Sequence, residues 1–255
     1  MKSISLLALF CIFSFFTSQA QHSFQKSGLA PGATSSINQQ LSDPGEIQIT
    51  HSPSNVIMSA NSVSCNAGNL HADNSYFRIF DLANDFSITS NFLINRLEIG
   101  IETASGSSGS QPIVANFYTL DGSFNWSNLT LLYTETFSVS DQTLSLFEMQ
   151  LTEPVLVTSE KILVVEIFTP DGQSIGNSFF IGSNNSGESS PSYLSAGDCA
   201  ISEPTTFTSI GFPGVNVVMN LYGESSTVPF PYVYIAGLFL LIAGWIIFRK
   251  LFLNN

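Results

Sequence analysis

The sequence predicts an all-β fold: an antiparallel two-sheet β-sandwich, jelly-roll-like, with an N-terminal signal peptide and one C-terminal transmembrane helix. Three observations predict it. Short runs in which apolar and polar residues alternate, each closed by turn residues, recur between residues 47 and 224, the period-2 pattern of half-buried strands. No window sustains a 3.6-residue period, while twenty-two Phe with abundant Val, Ile and Thr favour extended backbone. The two chain ends, by contrast, are uninterrupted apolar segments that cannot belong to a soluble sandwich.

Residues 1–20 read as the signal peptide. Lys2 supplies the positive start, Ile4 to Phe16 an apolar stretch, and Ser18-Gln19-Ala20 the small residues at −3 and −1 that a signal peptidase requires. Cleavage is expected before Gln21; an uncleaved anchor is the alternative, for which the apolar run is short. Residues 21–46, rich in Gln, Ser, Gly and Pro without periodicity, read as a flexible leader or a loosely docked first segment.

The sandwich is expected over 47–224, an extracellular domain of about ten strands. In Leu97-Glu98-Ile99-Gly100-Ile101-Glu102 the carboxylates fall on one face, expected to be solvated, and the apolar residues on the other. Leu129, Leu131 and Tyr133 alternate in the same way. Residues Lys161 to Phe168 are apolar on both faces, as a central strand is, and Val215, Val217, Met219 and Leu221, alternating with Asn216 and Asn220, close the series. Asp121-Gly122 and Asp171-Gly172 each follow an apolar strand, and Asp-Gly is a hairpin signal because Gly accepts positive φ.

Residues 225–231 form a Pro-containing stalk, 232–248 the transmembrane helix and 249–255 a short basic cytoplasmic tail. Val228 to Phe248 holds no charge, and twenty-one residues at 1.5 Å rise reach about 31 Å, the thickness of a bilayer core. Arg249-Lys250 follows at once, so the positive-inside rule puts the tail in the cytoplasm and the domain outside.

Charge and chemistry narrow the function. Between the ends only Lys26, Arg78, Arg96 and Lys161 oppose nineteen acids, so 4 − 19 gives a net charge of −15. Such a domain repels phosphate backbones, which excludes nucleic acid as a partner. Cys11 leaves with the signal. Cys65 and Cys199 remain in an oxidising compartment, where a disulfide is the natural reading and two buried free thiols the alternative.

No catalytic site is expected. The histidines are His22, His51 and His71, with no metal-ligand spacing, no Gly-x-Ser-x-Gly elbow, and His51 and His71 read as surface or capping residues. The pairs Glu98/Glu102 and Glu148/Glu166 are the candidates for glycosidase chemistry, but alternation makes them the wet side of a sheet. Calcium is the cofactor such loops suit, with Asp73, Asn74, Asp81, Asp85 and Asp121 as candidate oxygen ligands; no Asp-x-Asp-x-Asp-Gly loop is present, and solvated turn residues are the alternative. Trp126 and Tyr118 are candidate platforms for a sugar ring, the alternative for Trp126 being a packed hairpin tip.

Two resemblances extend this reading. Ser62-Val63-Ser64-Cys65-Asn66-Ala67-Gly68, Asp73-Asn74-Ser75-Tyr76-Phe77-Arg78, Phe179-Phe180-Ile181-Gly182-Ser183-Asn184, Pro191-Ser192-Tyr193-Leu194 and Cys199-Ala200-Ile201-Ser202-Glu203-Pro204-Thr205 together resemble an accessory β-sandwich module of secreted bacterial proteins. Ile210-Gly211-Phe212-Pro213 and Met219-Asn220-Leu221-Tyr222-Gly223 carry the likeness to roughly 50–223. Such modules are appended to secreted proteases and lack catalytic residues; the resemblance implies the sandwich and supports the Cys65/Cys199 pairing. The run Val228-Pro229-Phe230-Pro231, an apolar helix and a basic tail resembles the C-terminal sorting signals that an exosortase-type transpeptidase reads, although this four-residue form departs from the best-known motifs. The expectation is therefore a non-enzymatic binding or adhesion module, held at the cell envelope by its C-terminal segment, with glycans or other envelope proteins as partners; a passive surface-layer protein or a glycan-active enzyme are the alternatives.

Overall fold

The computed structural model describes residues 21–36 and 45–226. In chain order the strands are β1 (Ser23–Lys26), β2 (Ile47–Thr50), β3 (Val63–Ala67), β4 (Leu70–His71) and β5 (Asn74–Asp81). A short helix, α1 (Leu82–Phe86), leads to β6 (Asn91–Ser105), β7 (Ser110–Leu120), β8 (Leu129–Ser140), β9 (Gln142–Val157) and β10 (Ile162–Thr169). Then follow β11 (Ser178–Ile181), β12 (Ser183–Asn184), β13 (Tyr193–Ala196), β14 (Ile201–Thr206), β15 (Asn216–Val217) and β16 (Met219–Ser226). The described chain is all-β, as the alternation predicts, and every strand pairing is antiparallel.

Two sheets carry the structure. One has the order β14-β13-β5-β10-β7-β8. The other is built on β6: β16 pairs along Asn91–Ile99, β11 extends that edge along Ile101–Ser105, β2 adds to β16, and β9 takes the opposite edge. Their facing side chains form one core: Tyr76, Phe80, Ile113, Phe117, Leu163, Val165 and Ile167 from the first sheet meet Leu97, Ile99, Ile101, Met149 and Leu221 from the second. Each buried side chain of this size contributes about 1.5–3 kcal/mol relative to exposure, so the alternation seen in sequence is the principal driving force. β10 lies between β5 and β7, and both its faces are packed: Leu163, Val165 and Ile167 face the main core while Val164 joins a second cluster with Phe77 and Leu120, so Lys161 to Phe168 reads apolar on both faces.

Several local expectations are corrected. Of the two readings of the first segment, the docked one fits its described part: Ser23–Lys26 pairs with β3, and Thr34 bridges to Met58. Ser225 and Ser226, expected in the stalk, complete β16 opposite Phe92 and Asn91. Glu98 and Glu102 are buried rather than solvated. Glu102 accepts from Ser27 Oγ and from the backbone N–H groups of Ala60 and Ser62, and Glu98 from Asn220 Nδ2 and Tyr222. Residues from distant parts of the chain cover this face of β6, which its own alternation cannot reveal. Asn216 and Asn220 are buried too, Asn220 donating to Glu98 and to Asn55.

In β8 the alternation slips: Leu131 faces Tyr118 and Tyr133 faces Phe117, leaving Leu132 as the extra residue of a bulge. Leu131 therefore stays exposed while Tyr133 packs against the core. The two Asp-Gly pairs also differ. Gly122 has φ +101°, but Gly172 has φ −97° and starts a 3₁₀ turn, and neither makes a two-residue hairpin.

Candidate functional site

An open groove of about 480 Å³ lies between two loops. One wall is Thr50, His51, Ser52 and Pro53, where the chain leaves β2. The other is Ser186, Gly187, Glu188 and Ser189, between β12 and β13. β13 pairs with β5 only from Phe77 to Ser75, so Arg78 to Asp81 have no strand on that side and the two loops fill the space.

Arg78 locks the arrangement. It is fully buried, and its guanidinium donates from Nη2 to Val217 O at 2.5 Å, from Nε to the same oxygen at 3.2 Å and from Nη1 to Ser190 O at 2.5 Å. Glu188 stands 2.9 Å from Nη1 and also accepts from the backbone N–H and hydroxyl of Ser192. Burial pulls the Arg78 pKa down and Glu188 opposes it. A buried cation with five rigid donors is satisfied only when carbonyls and a carboxylate converge on it, so the loop positions are over-determined.

His51 is the second fixed point. Its Nε2 lies 2.8 Å from Ile79 O, an acceptor only, so Nε2 carries the proton and Nδ1 accepts from Ser189 Oγ at 2.7 Å. Ser189 N–H donates to His51 O at 3.0 Å, closing the contact twice. The ring stacks on Phe80 and packs beside Phe86, with Asp85 3.9 Å from Nε2. Burial, helped by the Arg78 charge, holds the His51 pKa below the ordinary histidine range, which keeps the ring neutral near pH 7. Far from being a surface residue, His51 is almost completely buried.

The groove thus offers a hydrogen-bonding wall of hydroxyls, backbone groups and one carboxylate in a fixed geometry. Comparison with known families, curated proteins and solved structures found no match.

The candidate ligands expected from sequence are scattered, and only Asp85 comes near the groove. Asp73 accepts from Asp171 N–H at 2.6 Å. Asn74 is buried and holds the β3–β5 turn, accepting from Cys65 N–H at 2.8 Å and donating to Ala72 O at 2.8 Å. Asp81 caps α1 through Asn84, whose side-chain and backbone N–H groups hold its carboxyl below the usual range. Asp121 pairs with Lys161 at 3.0 Å. Among the described residues no group of three or more His, Cys, Asp or Glu is placed to hold a metal ion.

Trp126 is half-buried at the tip between β7 and β8, edge-on to Phe77, with Nε1 donating to Ser202 O at 2.8 Å. Together with Phe124 it covers a satellite cluster of Phe77, Leu120 and Val164. Tyr118 donates to Glu166 at 2.7 Å, and Glu166 is itself buried. Both aromatics are therefore committed to packing.

Cys65 and Cys199 are joined, Cα to Cα 5.9 Å, tying β3 to the turn before β14. His71 is buried beneath Asn177 O at 3.1 Å and Pro170 O at 2.9 Å. The motif Val228, Pro229, Phe230 and Pro231 and the expected span lie outside the described residues, and no helix among those described is long and apolar enough to cross a membrane.

What sequence reasoning missed is the groove. Arg78 was visible as one of only four cations in an acidic domain, and a cation amid the apolar run Tyr76 to Phe80 is a usable signal for a buried anchor. Its partners, more than one hundred residues away, carry none.

Proposed function

We propose that the chain is a binding module of the cell envelope, a jelly-roll-like sandwich displayed outside the cell by its C-terminal segment, whose recognition site is the groove between residues 50–53 and 186–189. The observation that carries this reading is the pair of ties that hold the two loops as a preformed concave surface: Arg78 fixes the 186–190 side through Ser190 O and Glu188, and His51 joins it to the 50–53 side through Ser189, and preorganisation lowers the entropy cost of binding. Hydroxyls, Glu188 and the Pro53 ring suit a neutral, hydroxyl-rich ligand of the glycan class, and the acidic surface disfavours anionic ones. Calcium is not needed for this reading. The C-terminal segment serves as a permanent anchor or as a signal read by a sorting transpeptidase. A glycan array probed with the full chain tests the assignment, beside a Ser186→Trp variant that fills the groove from an exposed position. Glycan binding that Trp abolishes without changing the melting temperature supports it; no bound glycan, or binding indifferent to Trp, refutes it.

A second reading rests on one contact. Ser189 is exposed and its hydroxyl is aimed at a neutral imidazole whose other nitrogen is fixed by Ile79 O, the geometry of a hydroxyl next to a general base. Labelling by a fluorophosphonate probe at Ser189, lost in Ser189→Ala, would favour acyl-transfer chemistry over passive binding.

A further inference from the structure

We propose that the Ser189 hydroxyl is the specificity-determining group of the groove and His51 its positioning residue. With the imidazole neutral the hydroxyl shows a ligand only lone pairs and selects a hydrogen-bond donor; protonation of the imidazole turns the hydroxyl round and reverses that choice. This rests on the groove being the recognition site.

A hydroxyl has one proton and two lone pairs, so the group that takes the proton fixes what the oxygen offers a ligand. Thr50 Oγ1 donates to Met219 O at 3.3 Å and accepts from Ser52 N–H at 3.1 Å, and Ser52 Oγ donates to Val217 O at 3.1 Å. Both protons are turned into the protein. The Glu188 carboxylate is engaged by Arg78 and by the N–H and hydroxyl of Ser192. Ser189 differs: it is exposed, and its proton goes to His51 Nδ1 at 2.7 Å, which leaves its lone pairs toward the groove. That direction is imposed. Ile79 O, 2.8 Å from Nε2, has no proton to give, so a neutral ring keeps its single proton on Nε2 and Nδ1 has to accept. Stacking on Phe80 and contact with Phe86 hold the ring, and Ser189 N–H, bonded to His51 O at 3.0 Å, holds the serine.

Acid adds one proton from solvent to Nδ1, after which both ring nitrogens donate. The Ser189 oxygen then accepts from Nδ1–H, and its own proton is free to point at a ligand. The charged groups facing the ring are Arg78 of β5, which opposes a second cation, and Asp85 of α1 and Glu188 of the facing loop, which favour it. Burial and Arg78 prevail, so the reversal falls below the ordinary histidine range and the acceptor form is the one present at pH 7.

The three histidines of the chain make this visible. In the full chain in detergent, labelled with nitrogen-15 at histidine, long-range proton–nitrogen spectra report each ring nitrogen. At pH 7.5 the ring signals missing from His51→Gln should show a protonated Nε2 and a bare Nδ1 displaced by an accepted hydrogen bond. Ser189→Ala should move Nδ1 to the position of a free lone pair and leave Nε2–H in place. On the array, a glycan bound at pH 7.5 should lose about tenfold in affinity when fluorine, which keeps the size but cannot donate, replaces the hydroxyl that meets Ser189. That penalty should shrink as Nδ1 protonates and be absent in Ser189→Ala. A protonated Nδ1 at pH 7.5, an Nδ1 indifferent to Ser189→Ala, or a fluorine penalty that does not follow the titration overturns the proposal. A blank array removes the recognition site and the specificity with it, whereas the ring signals then still show whether His51 directs Ser189, so the two failures are told apart.

Discussion

Arg78→Met is the most informative single change, because it removes a buried cation while keeping the length of the side chain. The guanidinium serves Val217 O, Ser190 O and Glu188, and methionine serves none of them. Breaking a buried ion pair by removing one partner costs about 3–5 kcal/mol, most of it the uncompensated partner. Glu188 keeps 21% of its side-chain surface in water and retains Ser192 as a donor, which places the loss near about 3 kcal/mol at the lower end of that range. In a domain of this size that is a fall of about 6–12 °C in melting temperature. Glu188→Gln, which keeps shape and Ser192 contact, should cost about 1 kcal/mol, and the double variant should recover part of the sum because the two changes share one interaction. Thermal melts by near-ultraviolet circular dichroism measure the global term. Hydrogen exchange measures the local one: the Ser189 amide, bonded to His51 O, should lose protection in Arg78→Met while the core strands keep theirs. A loss below about 1 kcal/mol, or strict additivity of the pair, would refute the claim that Arg78 locks the groove.

The remaining predictions test other joints of the fold. The Cys65–Cys199 bond closes a loop with sequence separation 134, for which the chain-entropy model gives about 5 kcal/mol as an upper figure, so the double alanine variant should melt well below wild type. Thiol labelling of the denatured, unreduced mature protein should find neither cysteine. Burial holds His51 and His71 below the ordinary histidine pKa, so the unfolded chain takes up their protons more readily than the native one. Their contribution to stability is complete above about pH 6.5 and is lost as pH falls from there toward their folded values. The melting temperature should drop between pH 7.5 and 5, and less steeply in His71→Gln; identical slopes would sink the assignment. Gly182→Ala should destabilise by about 1–3 kcal/mol, because Gly182 N–H bonds Gly100 O at 2.6 Å and a Cβ there would run into the Gly100 backbone, which cannot move aside.

The part of this fold legible in sequence is the part that local periodicity encodes. Alternation in Leu97 to Ile101 sends Leu97, Ile99 and Ile101 into the core, and the double-sided run at Lys161 to Phe168 marks the centre of a sheet. Alternation separates the two faces of a strand but does not say whether the second face meets water. Glu98, Glu102, Asn216 and Asn220 all sit on the polar side of their strands and all are buried; Glu102 is met by the backbone N–H groups of Ala60 and Ser62, and Asn220 itself donates to Glu98 and to Asn55. The slip at Leu132 is likewise silent, since Leu131-Leu132-Tyr133 offers apolar residues to either register until Phe117 and Tyr118 choose between them.

The groove was hidden for a related reason. His51, Arg78 and Glu188 come from three distant segments, and each is ordinary in its own neighbourhood; their meaning comes from the open flank of β5 between Arg78 and Asp81. With no strand there, the backbone groups of the two loops have to be satisfied by side chains. Arg78 supplies several donors in a rigid fork and His51 ties Ser189 at two points, so the same contacts that complete the sheet edge also fix the walls of the groove. Stability and recognition are therefore coupled at this site, and a change that loosens Arg78 should be read first in the Ser186–Ser189 loop and only later in the melting of the core.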